Sequence, residues 1–173
     1  TKDLLFGECI IRRDIENTLL DLFKSRGYCE MITPGLEFFD VFNLNSQYFP
    51  QENLYKLTDS KGRLLVMRPD STMPIARVVA TRLRDAVLPL KLCYNQPVYS
   101  TEPALKGRSD EIVQAGIELI GSQLKMADLE VISTAADSLK SFGMEFSLEI
   151  GHIGIFKELV GRLDASDRDK ENI

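Results

Sequence analysis

The sequence predicts an α+β fold, an antiparallel sheet flanked by helices, and three observations carry that prediction. Two pairs of strand-like runs are each joined by a turn: "LYKLT" and "RLLVM" around "DSKG", and "PLKLCYNQPVYS" and "EIVQAGIELIGS" around a basic segment. Paired runs separated by turn residues read as hairpins, and hairpins build antiparallel sheets. Several longer segments repeat apolar residues at helical spacing. These helices do not alternate one-for-one with strands, as a doubly wound parallel sheet would require. With 173 residues, 44% of them hydrophobic, the chain is long enough for one domain with its own core.

Taken in order, "FGECIIRRDIENTLLDLFKSRGY" predicts an amphipathic helix. Ile11, Ile15, Leu19 and Leu22 recur on one face, joined by Leu20 and Phe23, and Gly27 follows Lys24 and Arg26 as a stop signal. By its period this helix is ordinary core. "YCEMITP" predicts a short strand ending at Pro34, and "GLEFFDVFNL" a short helix or turn. The first hairpin follows. "DSTMPIARVVATRL" begins a helix, with Asp70, Ser71 or Thr72 as the cap and Pro74 in the first turn. After the second hairpin, "KMADLEVISTAADSLKSFG" predicts a helix ending at Gly143, "EFSLEIG" a strand, and "HIGIFKELVGRL" a helix. "DASDRDKENI" is expected to open another. Tyr94, Phe38, Phe39 and Phe42 read as core aromatics.

The bulk numbers exclude several function classes. A net charge of −5 with no long run of one sign gives no chain-wide nucleic-acid footprint. Three dispersed cysteines and a single histidine, His152, leave no metal site and no Ser-His-Asp triad. The widely spaced, odd cysteines fit a reducing, cytoplasmic compartment. No apolar run reaches membrane-spanning length and no signal peptide is recognisable. The chain does not begin with Met, so the first residues are expected to be missing or trimmed. No cofactor is expected.

One strand face stands out. In "IVQAGIELIG", Val113, Ala115, Ile117 and Leu119 share a face that reads as core. Ile112, Gln114, Gly116, Glu118 and Ile120 share the other, apolar at its ends and polar in the middle. This face is either a solvated outer surface with an incidental glycine, or a cavity floor where Gly116 leaves room and Gln114 and Glu118 reach in. Asp70, at a strand-to-helix junction, is either a helix cap or a site residue delivered by the sheet. Two carboxylates and an amide suit an ammonium group, because unpaired acids repel and shift each other's titration.

These segments resemble the catalytic core of class II histidyl-tRNA synthetase and its paralogue, the ATP phosphoribosyltransferase regulatory subunit, from "KDLLFGE" to "ELVGRL". "GYCEMITPGLE" is similar to the first class II motif, which implies a homodimer through that region. "VYSTEPALKGRSDEIVQAGIELIG" is similar to the second, and "RPDST" to the synthetase segment Arg-Pro-Glu-Gly-Thr that holds the amino group of histidine. The resemblance implies a class II synthetase-like sheet over residues 1–173. It implies a histidine pocket of Asp70, Ser71, Thr72, Gln114 and Glu118. Glu102, Lys106 and Arg108 fall on the phosphate side, where a basic turn either meets a phosphate or is only solvated.

The departures steer the function. Where synthetases carry Phe-Arg-x-Glu, this chain reads Tyr99-Ser100-Thr101-Glu102, and Pro103 takes the place of the following arginine. Serine cannot clamp a phosphate bidentately, and losing a transition-state clamp costs orders of magnitude in rate. "IGHIGIF" resembles the regulatory subunits, so His152 is a family marker and otherwise reads as a partly buried structural histidine. The third motif of the family is absent, so the chain is expected to be a C-terminally truncated fragment. The resemblance thus implies a non-catalytic regulatory subunit in histidine biosynthesis that senses histidine. Its partner would be the short-form ATP phosphoribosyltransferase catalytic subunit, with no membrane and no tRNA. The alternatives are a divergent, truncated histidyl-tRNA synthetase core, or a synthetase-like interaction module whose pocket binds nothing.

Overall fold

The structure is a computed structural model and describes residues 3–43, 49–101 and 109–163. Helix α1 (Gly7–Ser25) ends where Gly27 adopts φ +85°, a left-handed stop that glycine takes without strain. β1 (Cys29–Glu30) and β2 (Leu36–Phe38) follow, then α2 (Phe39–Asn43) and a 3-10 turn at Gln51–Asn53. β3 (Lys56–Thr58) and β4 (Leu64–Met67) form the first hairpin. Its turn is tied by Asp59, whose carboxylate accepts from the N–H groups of Lys61 and Arg63 at 2.8 and 2.9 Å. α3 (Thr72–Arg82), β5 (Leu90–Tyr99), β6 (Glu111–Ile120), α4 (Lys125–Lys140) and α5 (Ile153–Gly161) complete the described elements.

Two three-stranded sheets result, ordered β1-β5-β6 and β2-β4-β3. The long β5–β6 ladder is antiparallel and sets Tyr94 opposite Gly116, Gln96 opposite Gln114 and Leu92 opposite Glu118. Directly opposed residues share a face, so the ladder has two distinct sides. Cys93, Ala115 and Ile117 pack against Phe23 and Tyr28, with Leu19 and Leu20 beside them. α4 is fastened to the same side by Tyr28 donating to Glu130 at 2.9 Å and by an ion pair from Arg26 to Asp137. The opposite side, with Leu92 and Tyr94, packs on Ile75 and Val79 of α3. The second sheet keeps its own core around Phe42, Leu54 and Val66. Burying a side chain such as Phe42 contributes about 1.5–3 kcal/mol.

Five expectations need correction. "GLEFFDVFNL" starts as a strand, because Leu36–Phe38 finds the edge of β4, and only then turns helical. "EFSLEIG" is not a strand, since among the described residues no neighbouring strand takes its backbone hydrogen bonds. Ile11 and Ile15 are 62% and 42% exposed, so only the second half of α1 is core. The first half instead stands over a groove of about 490 Å³ shared with Val113 and Ala115 of β6. Phe38 lies on the outer face of its sheet beneath the guanidinium of Arg63, 4.9 Å from the ring centre. His152 is exposed rather than partly buried and caps α5, its Nδ1 accepting from the Gly154 N–H at 3.0 Å. The segment 164–173 lies outside the described residues.

Candidate functional site

The polar face of β6 and the start of α3 come together. The turn after β4 brings Asp70 to the N-terminus of α3, where its Oδ1 accepts from the Met73 N–H at 3.4 Å. Asp70 therefore has the capping role the sequence allows, yet it also senses Glu118. Burial, together with the charge of Glu118, pushes its pKa up, against the Met73 hydrogen bond. Burial likewise raises the pKa of Glu118, against the hydroxyl of Thr72, which donates to Glu118 Oε1 at 2.8 Å. Gln114 accepts the Ser71 N–H through Oε1 at 3.1 Å. Asp70, Thr72, Gln114 and Glu118 are thus brought into one constellation. Ser71 joins it through its backbone only; its side chain is fully buried, with no hydrogen-bond partner for Oγ among the described residues. Glu102, Lys106 and Arg108 lie outside the described residues. Ser100 closes the hairpin, its N–H donating to Asp110 O at 3.0 Å.

Gly116 does clear space, but a side chain of the protein uses it. A Cβ at residue 116 would lie 2.5 Å from the hydroxyl oxygen of Tyr94 and 2.7 Å from Cζ. The phenol therefore rests across the bare backbone of Gly116. Tyr94 is 6% exposed, which agrees with its reading as core, but its hydroxyl also belongs to the polar cluster. Burial raises its pKa, and the charges of Glu118 and Asp70 add to this, while the hydroxyl of Thr72 opposes it.

Arg68, two residues before Asp70, fixes the frame. It is 3% exposed, and its Nη1 donates to Thr33 O at 2.5 Å, Gln96 Oε1 at 2.9 Å and Pro34 O at 3.2 Å. Its Nε donates to Pro97 O at 2.7 Å. Its own backbone bonds Gly35 O and the Tyr99 N–H, so one residue staples the two sheets together behind Asp70. Sequence reasoning did not single out Arg68 or the polar role of Tyr94. The available signals were a charged residue ending an otherwise apolar strand and a glycine paired with an aromatic.

Chemically, the constellation offers two half-buried acids, and neither forms an ion pair among the described residues. It adds a hydroxyl and an amide. An ammonium would relieve the repulsion of the acids, and the amide N–H groups of Gln114 suit a carboxylate.

The comparisons fit this geometry. The family model described as histidyl-tRNA synthetase matches residues 1–173. The chain belongs to the histidyl-tRNA synthetase family. Within that family, it is 47% identical over 173 residues to a Clostridium kluyveri protein named ATP phosphoribosyltransferase regulatory subunit, covering 98% of this chain and 44% of the relative. It is 44% identical to the Clostridium acetobutylicum protein of the same name, covering 100% and 43%. The chain therefore spans less than half the length of these curated relatives. Among solved structures, it is similar to a Bacillus halodurans protein described as an ATP phosphoribosyltransferase regulatory subunit/histidyl-tRNA synthetase. There the TM-score is 0.81 and the identity 31%, over 99% of this chain and 52% of that one. It is also similar to the apo histidyl-tRNA synthetase of S. aureus, with a TM-score of 0.71 and 27% identity over 84% and 34%. The resemblance drawn from the motifs and the class II fold class are both borne out.

Proposed function

We propose that this chain is part of a non-catalytic regulatory subunit of ATP phosphoribosyltransferase, which binds histidine for feedback control of histidine biosynthesis. The observation that carries the reading is the acidic constellation of Asp70 and Glu118, with Thr72 and Gln114, standing in a chain whose second motif has Ser100 in place of the phosphate-gripping arginine. An amino-acid site is kept and a phosphate clamp is lost. The names of the Clostridium relatives support the regulatory role. In this reading the protein works in the cytoplasm with the short-form catalytic subunit as partner, and tRNA has no part. Homodimerisation through the first-motif region is supported by the exposed apolar residues Ile10, Ile11, Ile32 and Leu36. Feedback requires that histidine bind two states of the complex unequally, since equal binding shifts nothing.

The test uses the full-length protein with its catalytic partner. Histidine titrated into the complex is expected to give saturable heat and to lower phosphoribosyl transfer to ATP. The regulatory protein alone is expected to show no histidine-dependent exchange of pyrophosphate into ATP. Robust exchange would instead support a divergent synthetase core, and the absence of heat with any amino acid would support an interaction module with an idle pocket.

A further inference from the structure

Helix α3 lies between the two sheets, and its sides meet different surroundings. Ile75 and Val79 pack with Leu92 and Tyr94 of the first sheet. Met73 packs with Phe42, Leu54 and Val66 in the core of the second, and Arg77, one turn further on, lies on the same side of the helix as Met73. Thr72, Ala76 and Ala80 make the exposed side. Apolar packing holds the helix in place without fixing its rotation sharply, because the hydrophobic effect has no direction. The polar contact of Arg77 does have one. Its Nε donates to Glu37 Oε2 at 2.7 Å. Glu37 is 5% exposed on β2, and its other oxygen accepts from the Phe38 N–H at 3.0 Å, so the acid is itself anchored.

The pocket depends on how α3 is turned. Its start carries Thr72, whose hydroxyl reaches Glu118 at 2.8 Å, and Ser71, whose N–H reaches Gln114 at 3.1 Å. Both acceptors belong to β6, on the other sheet from Glu37. A side-chain atom about 5 Å from a helix axis moves by about 1.7 Å when the helix rotates by about 20°. A shift of that size takes such a contact beyond hydrogen-bonding length. We propose that Glu37 is a positioning residue of the acidic pocket: by holding Arg77 it fixes the rotation of α3, and with it the placement of the Thr72 hydroxyl against Glu118. A buried ion pair adds little net stability, since desolvation offsets its attraction, but its charge-assisted geometry is specific. The effect on ligand affinity rests on the reading of this pocket as an amino-acid site, whereas the placement of Thr72 does not.

Glu37→Gln keeps the shape of the side chain and an oxygen for the Phe38 N–H, but removes the charge that holds Arg77. The full-length protein is read in two ways. The Thr72 hydroxyl favours the ionised form of Glu118, so the midpoint of Glu118 in a carboxyl NMR titration is expected to move upward in Glu37→Gln, as it should in Thr72→Val. A mere loss of stability would leave that midpoint of the folded protein unchanged. Histidine affinity by calorimetry is expected to fall about tenfold in either variant, the scale of one hydrogen bond to a charged group. The double variant Glu37→Gln, Thr72→Val separates positioning from general support. If Glu37 acts through Thr72, the double variant matches Thr72→Val alone in midpoint and affinity. Additive losses would overturn the proposal, and so would an unmoved Glu118 midpoint in Glu37→Gln. Should Glu37→Gln not fold, Arg77→Lys keeps a cation beside Glu37 without the planar Nε donor. It is expected to raise the same midpoint, and a parent-like value there overturns the proposal. If the parent binds no amino acid at all, the reading of the pocket fails, and the midpoints alone decide whether Glu37 positions Thr72.

Discussion

Arg68 is a buried cation with no acid beside it among the described residues, whereas Asp70, two positions on, is a half-buried acid whose charged neighbour is another acid, Glu118. The two answer burial differently. Around Arg68, carbonyls of Thr33, Pro34 and Pro97 and the amide oxygen of Gln96 accept its N–H groups at 2.5 to 3.2 Å. Burial lowers its pKa, but a guanidinium keeps its proton at any ordinary pH. The solvation lost on burial is replaced by fixed dipoles within the fold. Around Asp70 and Glu118 the replacement is incomplete: one long hydrogen bond from Met73 and one from Thr72 stand against desolvation that raises both pKa values. A satisfied charge belongs to the frame. An unsatisfied pair of like charges has capacity left for a guest.

The largest effect expected from this contrast is on stability at Arg68. Arg68→Met keeps much of the volume but orphans several carbonyl acceptors, at about 1–3 kcal/mol each. A loss of about 3 kcal/mol or more in unfolding free energy follows, readable by urea denaturation. Asp70→Ala, by comparison, should cost at most ~1 kcal/mol, the value of a weak helix cap. Equal losses at the two positions would erase the distinction between frame and site.

The next effect is on binding and runs the other way. Asp70→Ala and Glu118→Ala should each weaken histidine about 10- to 100-fold, since one charge-assisted hydrogen bond is worth roughly 1.5–3 kcal/mol. The folded population should remain intact in both. Calorimetry on the full-length protein reads the affinity and a parallel melt reads the fold. If both variants bind like the parent, the acids are not the ligand's partners and the contrast survives only as electrostatics.

How much of this was legible beforehand depends on whether the cause was local. The first hairpin was readable because Asp59 and Gly62 announce its turn chemistry in the chain itself. The polar middle of β6 was readable because alternation is a property of one strand. β2 was not, because three residues become a strand only where β4 offers an edge. The meeting of Tyr94 and Gly116 was hidden as well. It depends on the register of β5 with β6, and the stretch joining them is too long to fix register as a two-residue turn does. Arg68 reads in the chain as a strand's polar end, and its burial comes from Thr33 and Gln96, about 30 residues away on either side. The apolar face of the first half of α1 followed the helical period faithfully and still is not core, since periodicity names a face that wants covering without saying what covers it.

The smallest effect sharpens the contrast most, because its sign depends on pH. A carboxyl whose pKa is higher in the folded than in the unfolded chain binds its proton more tightly when folded. Its contribution to stability is present in full below the ordinary carboxylate range and is lost as pH rises through the raised folded value. At neutral pH, Glu118 is therefore a cost to the fold that the amide of Glu118→Gln does not incur, and that amide still offers an oxygen to Thr72. The variant should melt above the parent at pH 7, and the gap should close as pH falls toward ~4, where the parent carboxyl is protonated too. Arg68 has no such window, since its charge does not titrate there. Saturating histidine should narrow or invert the gap at pH 7, since mass action stabilises the tighter-binding parent more than the variant. A variant less stable than the parent at pH 7 without ligand would mean that Glu118 is already satisfied in the empty protein, as Arg68 is, and that the pocket has no charge in want of a guest.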